Sequence, residues 1–192
     1  MVVPEAELVD RAVRGDPDAT GRLLAQLRPG VVRYCRARLG RIGGHYTTAD
    51  DVSQEVCLAI LSALPRYTDR GRPFTAFVYG IAAHKVADAQ RAAMRDRTVT
   101  PVEAVAEPPD AGPGPEQLAM ASDLARRLST LLGQLSETHR EIVVLRVGVG
   151  LTAEEVGAAL NMSAVAVRVA QSRALARLRR LADSAAFTEV PA

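Results

Sequence analysis

The 192-residue chain has no tryptophan, one lysine (Lys85), two cysteines and only seven aromatic residues. Cys35 and Cys57 cannot build a disulfide framework or a four-cysteine zinc site, and lone thiols suit a reducing compartment. Both read as small buried hydrophobes. No apolar run approaches the ~18 residues of a membrane span, and the start, MVVPEAELVDRAVRGD, interleaves charge where a signal peptide has an apolar core. A cytoplasmic protein without membrane insertion is expected. The sequence holds no HExxH, GxSxG or Walker pattern, and His45, His84 and His139 show no ligand spacing. Gly148-Val149-Gly150 lacks the third glycine and the preceding strand of a dinucleotide loop. No catalysis, metal or cofactor is expected, and β-alternation of useful length is missing.

Hydrophobic residues at 48% and charged residues at 24% place the chain among globular proteins of one or two domains. The net charge of +2 hides an uneven distribution, because Thr98 to Glu116 carries four acidic residues, no basic residue and five of the eleven prolines. That stretch reads as a semi-rigid linker between independent halves.

Both flanks have helical periodicity. Leu8, Val9, Val13, Leu23, Leu24, Leu27, Val31, Val32, Cys35 and Leu39 recur every three or four residues, with breaks expected at Gly15-Asp16-Pro17 and at Pro29. After a Gly43-Gly44 turn, Thr48 and Asp51 form a capping-box variant that opens DDVSQEVCLAILSAL, which stops at Pro65. The polar loop RYTDRGRP then leads into FTAFVYGIAAHKVADAQRAAMRDR. Beyond the linker, Leu118 to Leu132 has helical spacing and Ser136 can cap a helix reaching Val147. Thr152 and Glu155 make a capping box for TAEEVGAAL, Asn161 suits a turn with positive φ, and AVAVRVAQSRALARLRRLA follows. Two helices across so short a turn are a helix-turn-helix. The class is all-α, with two small helical domains joined by a proline-rich linker.

Three groups of residues stand out. In the last helix Val167, Gln171, Ala174, Leu178 and Leu181 share a core face, leaving Arg168, Ser172 and Arg173 outward. Five arginines, including Arg177, and no acid from Ser163 to Ala182 favour phosphate contact. Tyr67, Phe74, Phe77 and Tyr79 are interleaved with Arg66, Arg70 and Arg72, with Lys85 beyond, the combination that stacks unpaired bases and grips backbone. At least two of those rings belong in a core, and loop-borne Tyr67 is the better functional candidate. Asp50 with Gln54, and Asp51 with Glu55, line one face of a helix that buries Val52, Val56, Ala59 and Ile60. Such a face is a docking patch more readily than an acid–base site.

Two separate stretches carry a family resemblance. TTADDVSQEVCLAILSALPRY with FTAFVYGIAAHKVADAQR is similar to the second conserved region of the sigma-70 family, and LSETHREIVVLRVGVGLTAEEVGAALNMSAVAVRVAQSRALARLR to its fourth. The chain resembles an extracytoplasmic-function sigma factor, nearest to the actinobacterial sigma-D-like subgroup. The resemblance implies region 2 over residues 1–97, a linker over 98–116 and region 4 over 117–192. It implies binding to core RNA polymerase, recognition of the promoter minus-10 and minus-35 elements, and help in opening the duplex. By position, Asp50, Asp51, Gln54 and Glu55 would face the β′ clamp helices, with the β flap a second polymerase contact. Ala63, Arg66, Tyr67, Arg70, Arg72, His84, Lys85 and Arg91 would serve the minus-10 element. Arg168, Val169, Ser172, Arg173 and Arg177 would serve the minus-35 element. An anti-sigma factor is a further candidate partner.

The chain departs from the family where Phe77 replaces a usual tryptophan and His84 a usual asparagine. The family's Thr-Val-Lys-Ser-Arg reads Ala166-Val167-Arg168-Val169-Ala170, with fewer polar tips to read bases. Two other readings fit part of the sequence. A helix-turn-helix regulator that does not replace a sigma factor would account for the C-terminal half, and an enzyme would use Asp51 and Glu55.

Overall fold

The structure is a computed structural model describing residues 4–39, 49–96, 124 and 126–188. The described residues contain helices and no strand. The first half comprises α1 (Ala6–Val13), α2 (Pro17–Leu39), α3 (Ala49–Ala63) and α4 (Phe74–Asp96), with a 3-10 turn at Leu64–Arg66. The second comprises α5 (126–133), α6 (Glu137–Val143), a π turn at Val144–Val149, α7 (Ala153–Leu160) and α8 (Ala164–Thr188). The Gly43-Gly44 turn, the Thr48 cap and the linker lie outside the described residues.

Local chemistry sets the helix ends. Asp16 accepts from the backbone N–H groups of Asp18 (3.0 Å) and Ala19 (3.1 Å), while Pro17 fills the first helical position of α2, which has no use for an N–H. Those bonds, first the one from Ala19 and then the Arg11 guanidinium, hold the Asp16 carboxyl below its ordinary range. Ser136 caps α6, and Thr152 and Glu155 form the expected reciprocal box on α7. Asn161 turns the chain at φ 59°. A Cβ on Gly157 would sit 2.6 Å from the Met162 carbonyl oxygen, so that glycine is what lets α7 and α8 approach across the turn.

Three expectations are revised. Proline 29 does not break α2: it and Ala25, whose carbonyl it leaves without an N–H donor, are exposed, whereas Leu27 and Val31 beside it are fully buried. The orphaned carbonyl sits on the solvent side, and the buried face holds the helix through an interruption worth ~3 kcal/mol. The helix capped by Ser136 changes to π winding after Val143 and ends where Gly150 turns left-handed at φ 90°. Cys35 is fully buried, its thiol pushed up to about 12 mainly by burial, but Cys57 is only half-buried.

The halves also do more than share a chain. Helix α2 packs on α1, α3 and α4 and also on the π turn, and α4 packs on α7, so a single core runs through both. Its seam is polar as well as apolar. The Tyr34 hydroxyl donates to Glu141 Oε1 at 2.7 Å, and Arg38 Nε lies 2.9 Å from Glu141 Oε2. Arg38 also donates to Glu137, and Arg33 donates to the Gly148 carbonyl at 3.0 Å. Fully buried Thr75 donates to Glu155 Oε1 at 3.0 Å, while Glu155 Oε2 accepts the Thr152 N–H at 2.8 Å. The mutual pairing satisfies these buried polar groups and fixes how the halves meet, while the shared apolar core supplies the burial that holds them together.

Burial raises the Glu141 carboxyl above its ordinary value, and Tyr34 and Arg38 only partly oppose that. Ionisation of Glu141 therefore opposes folding: its stabilising contribution is complete below the ordinary glutamate range and is lost as pH rises through the raised pKa. Chemical unfolding should show Glu141→Gln gaining on the wild type as pH rises from about 4 toward neutrality. At neutral pH, Arg38→Met should cost about 3–5 kcal/mol by leaving the buried carboxylate without its cation. A cost within error of zero would mean that water enters the seam.

Candidate nucleic-acid and polymerase interface

Three surfaces carry the candidate residues. The first is the exposed side of α3. Asp51, Gln54 and Glu55 are exposed there, but the four polar side chains do not act alike. Asp50 leans to α2 and takes two hydrogen bonds from Arg36, at 2.9 and 2.8 Å, which keep its carboxyl below the ordinary range. Glu55 leans to α4, where Lys85 Nζ is 3.3 Å away. Asp51 and Gln54 remain in the middle of the face. One and two turns beyond Gln54 on the same side sit Leu58 and Leu61, 63% and 41% exposed, which the sequence reading missed. The signal was present in the run Leu58-Ala59-Ile60-Leu61, too apolar for a helix with one buried side.

The second surface lies where the 3-10 turn meets α4. Pro65 ends α3, Asp69 bonds the Gly71 N–H at 2.8 Å, and the loop returns into α4 at Phe74. A cleft of about 420 Å³ opens here, lined by Arg66, Tyr67, Arg70, Arg72 and Phe77. The Tyr67 ring is half-buried, 5.1 Å from Phe74 and 5.0 Å from Phe77 between centroids, so one side packs and the other faces the cleft. Burial raises its phenol above the ordinary value. Tyr79 is core, edge-on to Tyr34 at 5.5 Å.

His84 is exposed one turn beyond Gly80, the last α4 residue lining the cleft. Ala63, Lys85 and Arg91 do not line it: Ala63 is half-buried, Lys85 pairs with Glu55, and Arg91 donates to Asp88 at 2.5 Å. The far wall belongs to the second half, since Ala159 lines the cleft and Arg72 donates to the Ala158 carbonyl.

The third surface is the outer face of α8. Arg168, Val169, Ser172, Arg173 and Arg177 are all exposed, whereas Val167 and Ala174 are fully buried. Ser163 caps the helix by accepting the Ala166 N–H at 3.1 Å. Glu154 of α7 accepts from Arg168 Nη2 at 2.6 Å and thereby orients it. The spacing thus places a helix-turn-helix with a basic outer face.

Family models match both parts of this architecture: sigma-70 region 2 over residues 23–96, and sigma-70 region 4 over 131–180. The ECF RNA polymerase sigma factor ShbA of Streptomyces griseus subsp. griseus is 56% identical over 92% of this chain and 94% of its own. SigD of Mycobacterium tuberculosis, also named an ECF RNA polymerase sigma factor, is 56% identical over 90% of this chain and 81% of its own. The chain belongs to the sigma-70 family, in its extracytoplasmic-function group. Among solved structures, CnrH in complex with the cytosolic domain of CnrY superposes with a TM-score of 0.65 at 28% identity, covering 92% of this chain and 96% of that one.

This sigma factor binds core RNA polymerase and directs promoter-specific initiation of transcription, a role that is not itself catalytic. The region 2 match holds the α3 face and the Tyr67 side of the cleft; the region 4 match holds the far wall of the cleft and the capped helix-turn-helix. A regulator unrelated to sigma factors would leave the region 2 match unexplained. None of the described helices is long and apolar enough to cross a membrane.

Proposed function

We propose that the three surfaces divide the work of initiation among residues 1–97 and 117–192, with 98–116 as the linker, in the cytoplasm and without enzymatic turnover. The carrying observation is the shared cleft, which brings Arg66, Tyr67, Arg70 and Arg72 around one half-exposed ring. A base turned out of the minus-10 duplex stacks on Tyr67 while the arginines hold backbone phosphates on either side. His84, Lys85 and Arg91 continue this surface along α4, and Ala63 closes its α3 end. His84 can donate or accept through its ring nitrogens and so discriminate base edges.

Polymerase docking falls to the α3 face. Asp51 and Gln54 lead along α3 into the exposed Leu58 and Leu61, giving a polar stretch followed by an apolar one on the same exposed side. Asp50 and Glu55 contribute at its margins and must give up or share Arg36 and Lys85 to do so. The outer face of α8 enters the major groove of the minus-35 element, Arg168 toward base edges and Arg177 toward phosphate more than two turns later. Arg72 ties α7 to the cleft through the Ala158 carbonyl, and separation of α7 would release that donor for phosphate. An anti-sigma protein that holds the halves together would act on that step, and the likeness to CnrH in its complex with CnrY supports such a partner.

Stacking predicts that Tyr67→Ala weakens binding to a promoter pre-melted at the minus-10 region by about 1–3 kcal/mol, while Tyr67→Phe, which keeps the ring, changes it little. Affinity measured with the assembled holoenzyme checks this, and equal binding by Tyr67→Ala and wild type would remove Tyr67 from the site. Placing Arg at position 51 should cost core binding over ~1 kcal/mol, or about fivefold or more, with the helix content of the free protein unchanged. Undiminished core binding by Asp51→Arg would displace the polymerase contact from α3.

A further inference from the structure

The first two turns of α8 present an unusual surface. Val165 is 67% exposed and Val169 45% exposed, one helical turn apart on the same side as Arg168, Ser172 and Arg173. Seen down the helix axis, the valines and Ser172 form the middle of the strip and the two arginines its edges. Their exposure is not left over from parted halves, because the halves are already packed together in this structure. The core-facing side of α8 is meanwhile fully served by Val167 and Ala174, with Leu178 beyond. β-branched residues are also slightly disfavoured in helices, so local propensity does not account for two of them facing water.

Charge decides what covers the strip. Arginines flank it, and no acidic residue occurs from Ser163 to Ala182. That combination suits a polyanion with an apolar feature on its surface. In the major groove of DNA the one such feature is the 5-methyl group of thymine, which small apolar side chains contact directly. Val169 has no hydrogen-bonding tip and offers methyl groups to whatever covers it.

We propose that Val165 and Val169 are specificity-determining residues that read thymine methyl groups in the minus-35 element, next to the base pair contacted by Arg168. The inference rests on the reading above that α8 lies in the major groove, and it adds which chemistry is recognised there. Glu154, which holds Arg168 at 2.6 Å, keeps that guanidinium at the edge of the strip and leaves the valines as its apolar centre.

The test uses holoenzyme assembled from core RNA polymerase and the full chain. It is first allowed to select from duplex DNA randomised across the minus-35 element; the enriched duplex is then remade with dU for dT at each position in turn, which deletes only the methyl group. Wild type should lose about fourfold in affinity at one or two of these positions, the worth of one buried methyl. Val169→Ala or Val165→Ala should bind the dT and dU duplexes equally at the position it reads. Both variants place a strong helix former at an exposed site, so retained helix content and core binding are expected controls. Enrichment without thymine, or wild type indifferent to dU at every position, overturns the methyl reading. If Arg168→Ala nevertheless relaxes the selected sequence, α8 still reads the groove and only the valine assignment falls. If neither Arg168→Ala nor the valine variants alter selection, α8 is not in the groove and both readings fall.

Discussion

A carboxylate withdrawn from water must be met by donors, and for Glu141 those donors come from the other half of the molecule. Tyr34 and Arg38 stand one turn apart on α2, and both reach the same side chain of α6. Glu155 repeats the device on a second pair of helices: one oxygen caps its own helix α7 and the other takes the hydroxyl of Thr75 on α4. Such pairings contribute little net stability over an apolar contact of equal shape, but they tolerate no alternative register. They decide where α6 and α7 sit, and through α7 they decide what borders the cleft beside Tyr67.

The helix-turn-helix was legible because its signals are local. Thr152, Glu155, Asn161 and Ser163 each act within three or four residues, so spacing alone locates the caps and the turn. The course of α2 was not legible in the same way. Proline 29 is a strong local signal for a break, but whether it breaks the helix depends on whether its orphaned carbonyl faces water, which only the packing of α2 settles. The seam between halves was invisible for a similar reason. Tyr34 and Glu141 are 107 residues apart, and nothing in either neighbourhood marks a partner.

For the functional surfaces, residue type was easier to read than orientation. The arginine-rich loop and Tyr67 were evident from composition and do meet in one cleft. The acidic face of α3 looked uniform in sequence; in space Asp50 and Glu55 turn to opposite neighbours, and exposed leucines extend the face toward the end of the helix. Helical spacing assigns a face but not the rotamers that divide it.

The two thiols differ in a way that reaches beyond packing. Cys35 is fully enclosed against α3, and burial suppresses formation of its thiolate, whereas Cys57 is half open and its thiol less strongly perturbed. Only a thiolate reacts with alkylating reagents at an appreciable rate. Modification of Cys57 therefore needs only local breathing of α3, and modification of Cys35 needs the first-half core to come apart. The chain carries its own two-tier chronometer of opening, readable as the order in which the two thiols gain the mass of an alkylating reagent.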